Sequence, residues 1–215
     1  MSTRPNRLVL ATGTGTGVGK TWWGAETLTI VRAQGIKVAA RKPVQSGTEP
    51  AGESDAELLA AATGELVGDV CAPHRSYSIA WAPPMAARKL GAPPFGISDL
   101  VCELQWPPDV AVGWVEGVGG PRSPLADDGD TVDLAGAIKP DLVVLVADAG
   151  LGTVNAVLSA AAPFGGVALT VALNRFDPDD ALHHENHRWL TERERFAVVT
   201  APVQLAARLA PMRSG

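Results

Sequence analysis

The stretch Thr12-Gly13-Thr14-Gly15-Thr16-Gly17-Val18-Gly19-Lys20-Thr21 sets glycines at short intervals directly ahead of a lysine and a threonine. Closely spaced glycines let a backbone turn tightly and aim successive N–H groups inward. A helix that starts where the turn ends adds the positive end of its dipole. Such a loop is a cradle for phosphate. Lys20 would reach the β- and γ-phosphates of a nucleotide, and the Thr21 hydroxyl would ligate magnesium. Counting back from Lys20, the common motif would put its first glycine at Thr14, but glycine stands one residue earlier, so the loop reads G-x5-G-K-T from Gly13.

Magnesium takes oxygen ligands and keeps some waters, so one or two carboxylates should join Thr21 and the phosphates. Ligands of open parallel sheets bind at the carboxyl ends of strands. Two apolar runs end there in an acid, one in Glu116 and one in Asp148. Hydrophobic pattern alone favours Asp148. Glu116 is followed by Gly117, Val118 and Gly119, and glycines allow close approach to a phosphate. Asp55, in a stretch rich in turn formers, is a third candidate that could equally be a helix N-cap without a catalytic role.

Elements to hold these groups follow from periodicity. Short β-branched runs alternate with stretches of helical character, which predicts an α/β fold with a mostly parallel sheet and helices on both faces. Strands are expected over 8–11, 38–41, 110–115, 142–147, 167–173 and 196–199. The run 142–147 is continuously apolar, as suits the middle of a sheet covered on both sides. Helices are expected over 21–34, over 56–62 after a Ser54-Asp55 cap, and over 182–193. The Pro-Pro pairs at 83–84, 93–94 and 107–108 read as loop punctuation.

The chain of 215 residues is read as a single domain over 1–215, with 46% apolar and 19% charged residues. A formal net charge of −5 offers no long-range attraction to nucleic acid or an anionic membrane, and neither is expected as a partner. Residues 1–7 lack the apolar core of a secretory signal, and no run approaches the roughly 20 apolar residues of a membrane helix. The expected location is the cytoplasm. Cys71 and Cys102 are read as free, buried thiols, and His183, His184 and His187 as part of a solvated helix. Trp22 and Trp23 are expected to pack the first helix, with Trp22 also near the nucleotide.

At this point the residues resemble the dethiobiotin synthetase family. That family's G-T-x-T-x-V-G-K-T loop is similar to Gly13 through Thr21, and its K-P-V-x-S-G to Lys42-Pro43-Val44-Gln45-Ser46-Gly47. Its S-D-A matches Ser54-Asp55-Ala56, and its V-E-G-A-G-G resembles Val115-Glu116-Gly117-Val118-Gly119-Gly120 with Pro124-Leu125 after it. Its L-G-x-x-N is matched by Leu151-Gly152-Thr153-Val154-Asn155.

The resemblance implies an ATP-dependent ligase that builds a ureido ring from 7,8-diaminononanoate and CO2 (or bicarbonate). It implies ATP as co-substrate, Mg2+ held by Thr21, Asp55 and Glu116, and a homodimer. Lys20, Lys42, Thr16 and Ser46 would serve the reacting carbamate and phosphate, with Ser46 also binding substrate. Gly17, Val18, Gly19, Lys20, Thr21, Trp22, Gly117, Val118 and Gly119 would surround the nucleotide, and Asn174 would contact adenine. Gly152, Thr153, Val154 and Asn155 would hold the substrate's carboxylate across the dimer, where helix-start N–H groups suit an anion.

The chain departs from the family pattern at Gly17, where some members carry an acid, and again after Asn174. There Arg175-Phe176-Asp177 replaces an Asn-Asp-type pair, and Ala201-Pro202-Val203 only loosely echoes a late nucleotide loop. Nucleotide selectivity is therefore left open. Two other readings of a P-loop chain stand beside this one: a related synthetase acting on another carboxylated substrate, and a nucleotide-dependent switch ATPase. The switch group carries an extra lysine early in its loop, which Thr12 through Thr16 lack.

Overall fold

The computed structural model describes residues 4–47 and 53–210. The chain opens with β1 (Arg7–Gly13), α1 (Lys20–Ala33) and β2 (Val38–Arg41). An excursion follows: β3 (Gln45–Ser46), α2 (Asp55–Thr63), α3 (Val67–Val70), β4 (Ser76–Tyr77), α4 (Pro83–Lys89) and α5 (Ile97–Glu103). The chain returns through β5 (Val112–Glu116), the hairpin β6 (Pro124–Ala126) and β7 (Gly129–Asp130), and α6 (Thr131–Ile138). It closes with β8 (Leu142–Asp148), α7 (Thr153–Ala161), β9 (Leu169–Asn174), α8 (Ala181–Arg188), β10 (Ala197–Val199) and α9 (Pro202–Leu209).

The main sheet runs β10-β9-β8-β1-β5-β2 with every neighbouring pair parallel. Side chains alternate across a strand, so β1 feeds both faces. Val9 and Ala11 join Trp23, Leu28, Leu59 and Leu205 under α1, α2 and α9. Leu8 and Leu10 join Phe95, Leu100 and Leu134 under α5 and α6. Burial on both faces is why the β8 run is apolar throughout, and β8 sits beside β1 at the centre of the sheet.

Register decides where the functional groups meet. Ala11 lies opposite Glu116, Gly13 opposite Val146, and Asp148 opposite Asn174. Strand ends carrying Gly13, Glu116, Asp148 and Asn174 therefore share one edge of the sheet, the carboxyl edge, where such folds bind ligands.

Local chemistry corrects several sequence-based expectations. Pro83 and Pro84 do not punctuate a loop; they occupy the first turn of α4, where a missing N–H is no loss. Pro202 starts α9 in the same way. Ser54, not Asp55, caps α2, in a reciprocal capping box with Glu57. The Asp55 carboxylate is left free of capping duty. The polar helix expected over 182–193 is α8 followed by a π-helical turn at Trp189–Arg193. The three histidines pack around the Phe176 ring at 5.3 to 6.0 Å between centroids. Cys71 is buried as expected, and burial pushes its thiol up to about 12, but Cys102 is exposed. Among the described residues, no helix is long and apolar enough to cross a membrane.

Candidate active site

β1 hands the chain into the loop 14–19, and α1 begins at Lys20, so the helix N-terminus faces the loop as the motif requires. The loop is braced from outside. The Asn174 amide donates to the Val18 carbonyl at 2.9 Å, and Arg175 donates to the Gly17 carbonyl at 3.1 Å. Gly19 has φ +96°, and a Cβ there would run into the Asn174 amide. Both the positive φ and the close approach require glycine. Lys20 folds back on the Gly15 carbonyl at 3.2 Å. Burial first, and then the neighbouring Lys42 charge, hold the Lys20 ammonium below its ordinary range.

Beside the loop lies a compact charged cluster. Lys42, at the end of β2, is 1% exposed, and its ammonium donates to Glu116 Oε1 at 2.7 Å and to the Gly117 carbonyl at 3.1 Å. Asp55 Oδ2 sits 2.7 Å from the same nitrogen. The Thr21 hydroxyl lies 2.7 Å from Asp55 Oδ1 and 2.9 Å from Glu116 Oε1, so its one proton is shared between two acids. Burial alone would raise the Asp55 carboxyl, but the Lys42 charge and hydrogen bond, with Thr21, hold it below the usual range. Burial opposes the Lys42 charge in turn, yet Glu116 and Asp55 together raise its ammonium above the ordinary value.

Two carboxylates and a hydroxyl form the hard-oxygen donor set that suits magnesium. Glu116 Oε2 is fully buried and has no hydrogen-bond partner among the described residues, an atom that a cation would satisfy. The residues thus fit the metal.

The cluster opens into a cavity of about 530 Å³ lined by Thr16, Lys20, Thr21, Lys42, Ser46 and Asp55, among others. Gly17, Gly19, Val118, Gly119 and the half-exposed Trp22 also face it. One wall escaped sequence reasoning: Ala80, Trp81, Ala82 and Pro83, the turn into α4. The Ser46 hydroxyl donates to the Trp81 carbonyl at 2.7 Å, which ties that wall to the Lys42 side. The Pro-Pro pair that looked like loop punctuation was the available signal, since it marks a helix start at the rim.

Other expected site residues lie elsewhere. Asp148 binds Arg175 at 2.7 Å and its neighbour Gly150 N at 3.0 Å, apart from the Thr21–Asp55–Glu116 cluster. The Asn174 side chain is buried between the loop and the Trp23 indole, which donates to it at 3.2 Å. Trp23 is therefore more than packing. Gly152, Thr153, Val154 and Asn155 form the start of α7 and are not among the residues lining the Lys42 cavity. A second groove, of about 660 Å³, runs between the phosphate loop and the Ala156, Ser159 and Ala160 face of α7.

The family model described as "AAA domain" matches residues 7–211. An ATP-dependent dethiobiotin synthetase from Anaeromyxobacter sp. (strain K) is 35% identical over 211 residues, covering 94% of this chain and 93% of the relative. Its counterpart in Haloferax mediterranei is 33% identical over 195 residues, covering 88% and 81%. This chain belongs to the dethiobiotin synthetase family. Membership brings with it the class of P-loop, ATP-dependent synthetases, in keeping with the loop and cluster just described. Among solved structures, the signal recognition particle receptor FtsY from Elizabethkingia anophelis aligns with a TM-score of 0.53 at 14% identity. That alignment covers 96% of this chain and 66% of the receptor, and it speaks for the fold alone.

Proposed function

We propose that this chain closes the ureido ring of dethiobiotin from 7,8-diaminononanoate and CO2 at the expense of ATP. The observation that carries the reading is the Lys42–Asp55–Glu116–Thr21 cluster beside the phosphate loop, with Ser46 on the same cavity wall. A carbamate and a triphosphate are both anionic, so joining them needs concentrated positive charge and preorganised donors. Lys20 and Lys42 supply the charge, and the Thr16 and Ser46 hydroxyls supply donors on the carbamate side.

In this reading one amine of the substrate adds to CO2 and loses a proton, giving a carbamate. A carbamate oxygen attacks the γ-phosphorus, and ADP leaves, forming a carbamic–phosphoric anhydride. The second amine then attacks the carbamoyl carbon; phosphate departs, the amine loses its proton, and the ring is closed. Magnesium, held by Thr21, Asp55 and Glu116, would supply charge neutralisation for the phosphates. Gly17, Val18, Gly19, Trp22, Gly117, Val118 and Gly119 would enclose the nucleotide, while Asn174 braces the loop around it through the Val18 carbonyl.

The start of α7, from Gly152 through Asn155, would take the substrate's carboxylate from a second copy of the chain, which makes the working unit a homodimer in the cytoplasm. The test is phosphate release from Mg-ATP with bicarbonate, with and without the diamine, with the product checked by mass. Diamine-dependent turnover giving a dethiobiotin mass supports the reading. ATP binding without diamine-stimulated turnover points to a synthetase for another carboxylated substrate.

A further inference from the structure

The Lys42 ammonium has three N–H donors and meets three acceptors: Asp55 Oδ2 at 2.7 Å, Glu116 Oε1 at 2.7 Å and the Gly117 carbonyl at 3.1 Å. Its stem is buried, with the residue 1% exposed. In this arrangement Lys42 is saturated and has no donor left for a substrate anion. The acids it holds are the ones that, with Thr21, make the magnesium donor set. Two carboxylates drawn this close repel each other unless a cation sits between them. Lys42 is that cation here, and Glu116 Oε2, buried and without a partner among the described residues, marks the donor set as incomplete.

We propose that Lys42 is a built-in stand-in for the divalent cation: it holds Asp55 and Glu116 together until the cation arrives, and is released to the substrate's carbamate only when the cation takes those oxygens over. This rests on the ligand set and substrate given under the proposed function. The physical reason is geometric. Magnesium demands near-octahedral oxygen positions at short distance, and a divalent charge outbids a monovalent one for the same carboxylates. Lys42 then loses acceptors and gains free donors pointing into the cavity that Ser46 also lines. Metal binding and anion binding are thereby coupled, and the coupling is reciprocal.

Mn2+ binding to the full chain without nucleotide, followed by electron paramagnetic resonance, separates the possibilities. Lys42→Met removes the stand-in and should tighten Mn2+ about tenfold or more, while Asp55→Asn should weaken it. Unchanged binding in Asp55→Asn would show that the ligand set itself is wrong. Weaker binding in Asp55→Asn with no gain in Lys42→Met would overturn the stand-in and leave the ligand set standing. A second measurement needs no variant: 15N-lysine NMR of the wild-type protein. The Lys42 ammonium should be protected from solvent exchange without metal and lose that protection with Mg2+ and a non-hydrolysable ATP analogue. Protection that persists with metal bound overturns the proposal.

Discussion

The Asn174 amide nitrogen donates to the Val18 carbonyl at 2.9 Å, tying the end of β9 into the phosphate loop. The same side chain accepts from the Trp23 indole at 3.2 Å, so its orientation is set from α1. A group used in this way acts on the loop before it acts on a base. Asn174→Ala is therefore expected to weaken ATP, GTP and CTP alike, by about tenfold each, as the loss of a hydrogen bond or two implies. Trp23→Phe, which removes the indole donor together with some core volume, should do the same at the nucleotide and also lower stability. Calorimetric affinities for the three nucleotides decide the matter. A loss confined to ATP would return Asn174 to the role of adenine contact.

Gly17 and Gly19 both have positive φ, at +75° and +96°, but their surroundings differ. Among the described residues, nothing lies within 4 Å of a Cβ built on Gly17, whereas one on Gly19 meets the Asn174 amide. Gly17→Ala should cost only the left-handed strain of about 1–2 kcal/mol and keep measurable nucleotide binding. Gly19→Ala adds a collision with the brace of the loop and should abolish binding at millimolar nucleotide. Equal losses in the two variants would mean that φ, and not the contact with Asn174, governs the loop.

The legible parts of this molecule were those where pattern and chemistry coincide. Continuous apolarity placed β8 at the centre of the sheet, and the turn from Gly13 to Thr21 marked the phosphate loop with its flanking strand and helix. Asp55 illustrates the limit: its type and position suited both an N-cap and a metal ligand. The matter turns on Ser54 taking the cap, a question of backbone geometry. Asp148 misled for a related reason. Ending an apolar strand places an acid at the right edge, but Arg175, just past the end of β9, claims its carboxylate. The Ala80–Pro83 wall was hidden because the fold, not spacing along the chain, brings it to Ser46.

Arg41 and Glu65 form a 2.8 Å ion pair whose side chains are 5% and 11% exposed. Glu65 Oε2 also accepts from Ala40 N at 2.8 Å, and the guanidinium lies over the Trp106 ring. This lock covers the edge strand β2, which carries Arg41 one residue before Lys42. Glu65→Ala would leave a buried guanidinium without its counter-charge and a strand N–H without its acceptor, with the Gln105 carbonyl still accepting from Arg41. The expected loss is about 3 kcal/mol, or roughly 6–12 °C in melting temperature for a chain of this size. Paired thermal and urea unfolding measures it. A shift under about 1 °C would place Arg41's support in the Gln105 carbonyl and Trp106 instead.

The last expectation concerns pH. Glu103, at the end of α5, accepts two hydrogen bonds from Arg75, at 2.7 and 2.9 Å. These bonds first of all, with further help from His74 against an opposing effect of burial, hold its carboxyl below the ordinary 4.5. A carboxylate whose folded pKa is depressed gives stability that is fully present above the unfolded value. That contribution is lost as the pH falls through the folded one. The stability gap between wild type and Glu103→Gln should therefore be in place at about pH 5 and close progressively below 4.5. Glu103 is partly exposed, so added salt should shrink the gap at neutral pH. Urea unfolding of both proteins across this range reads it directly. A gap that survives unchanged to pH 3 would assign the effect to shape at the end of α5 and not to the charge on Glu103.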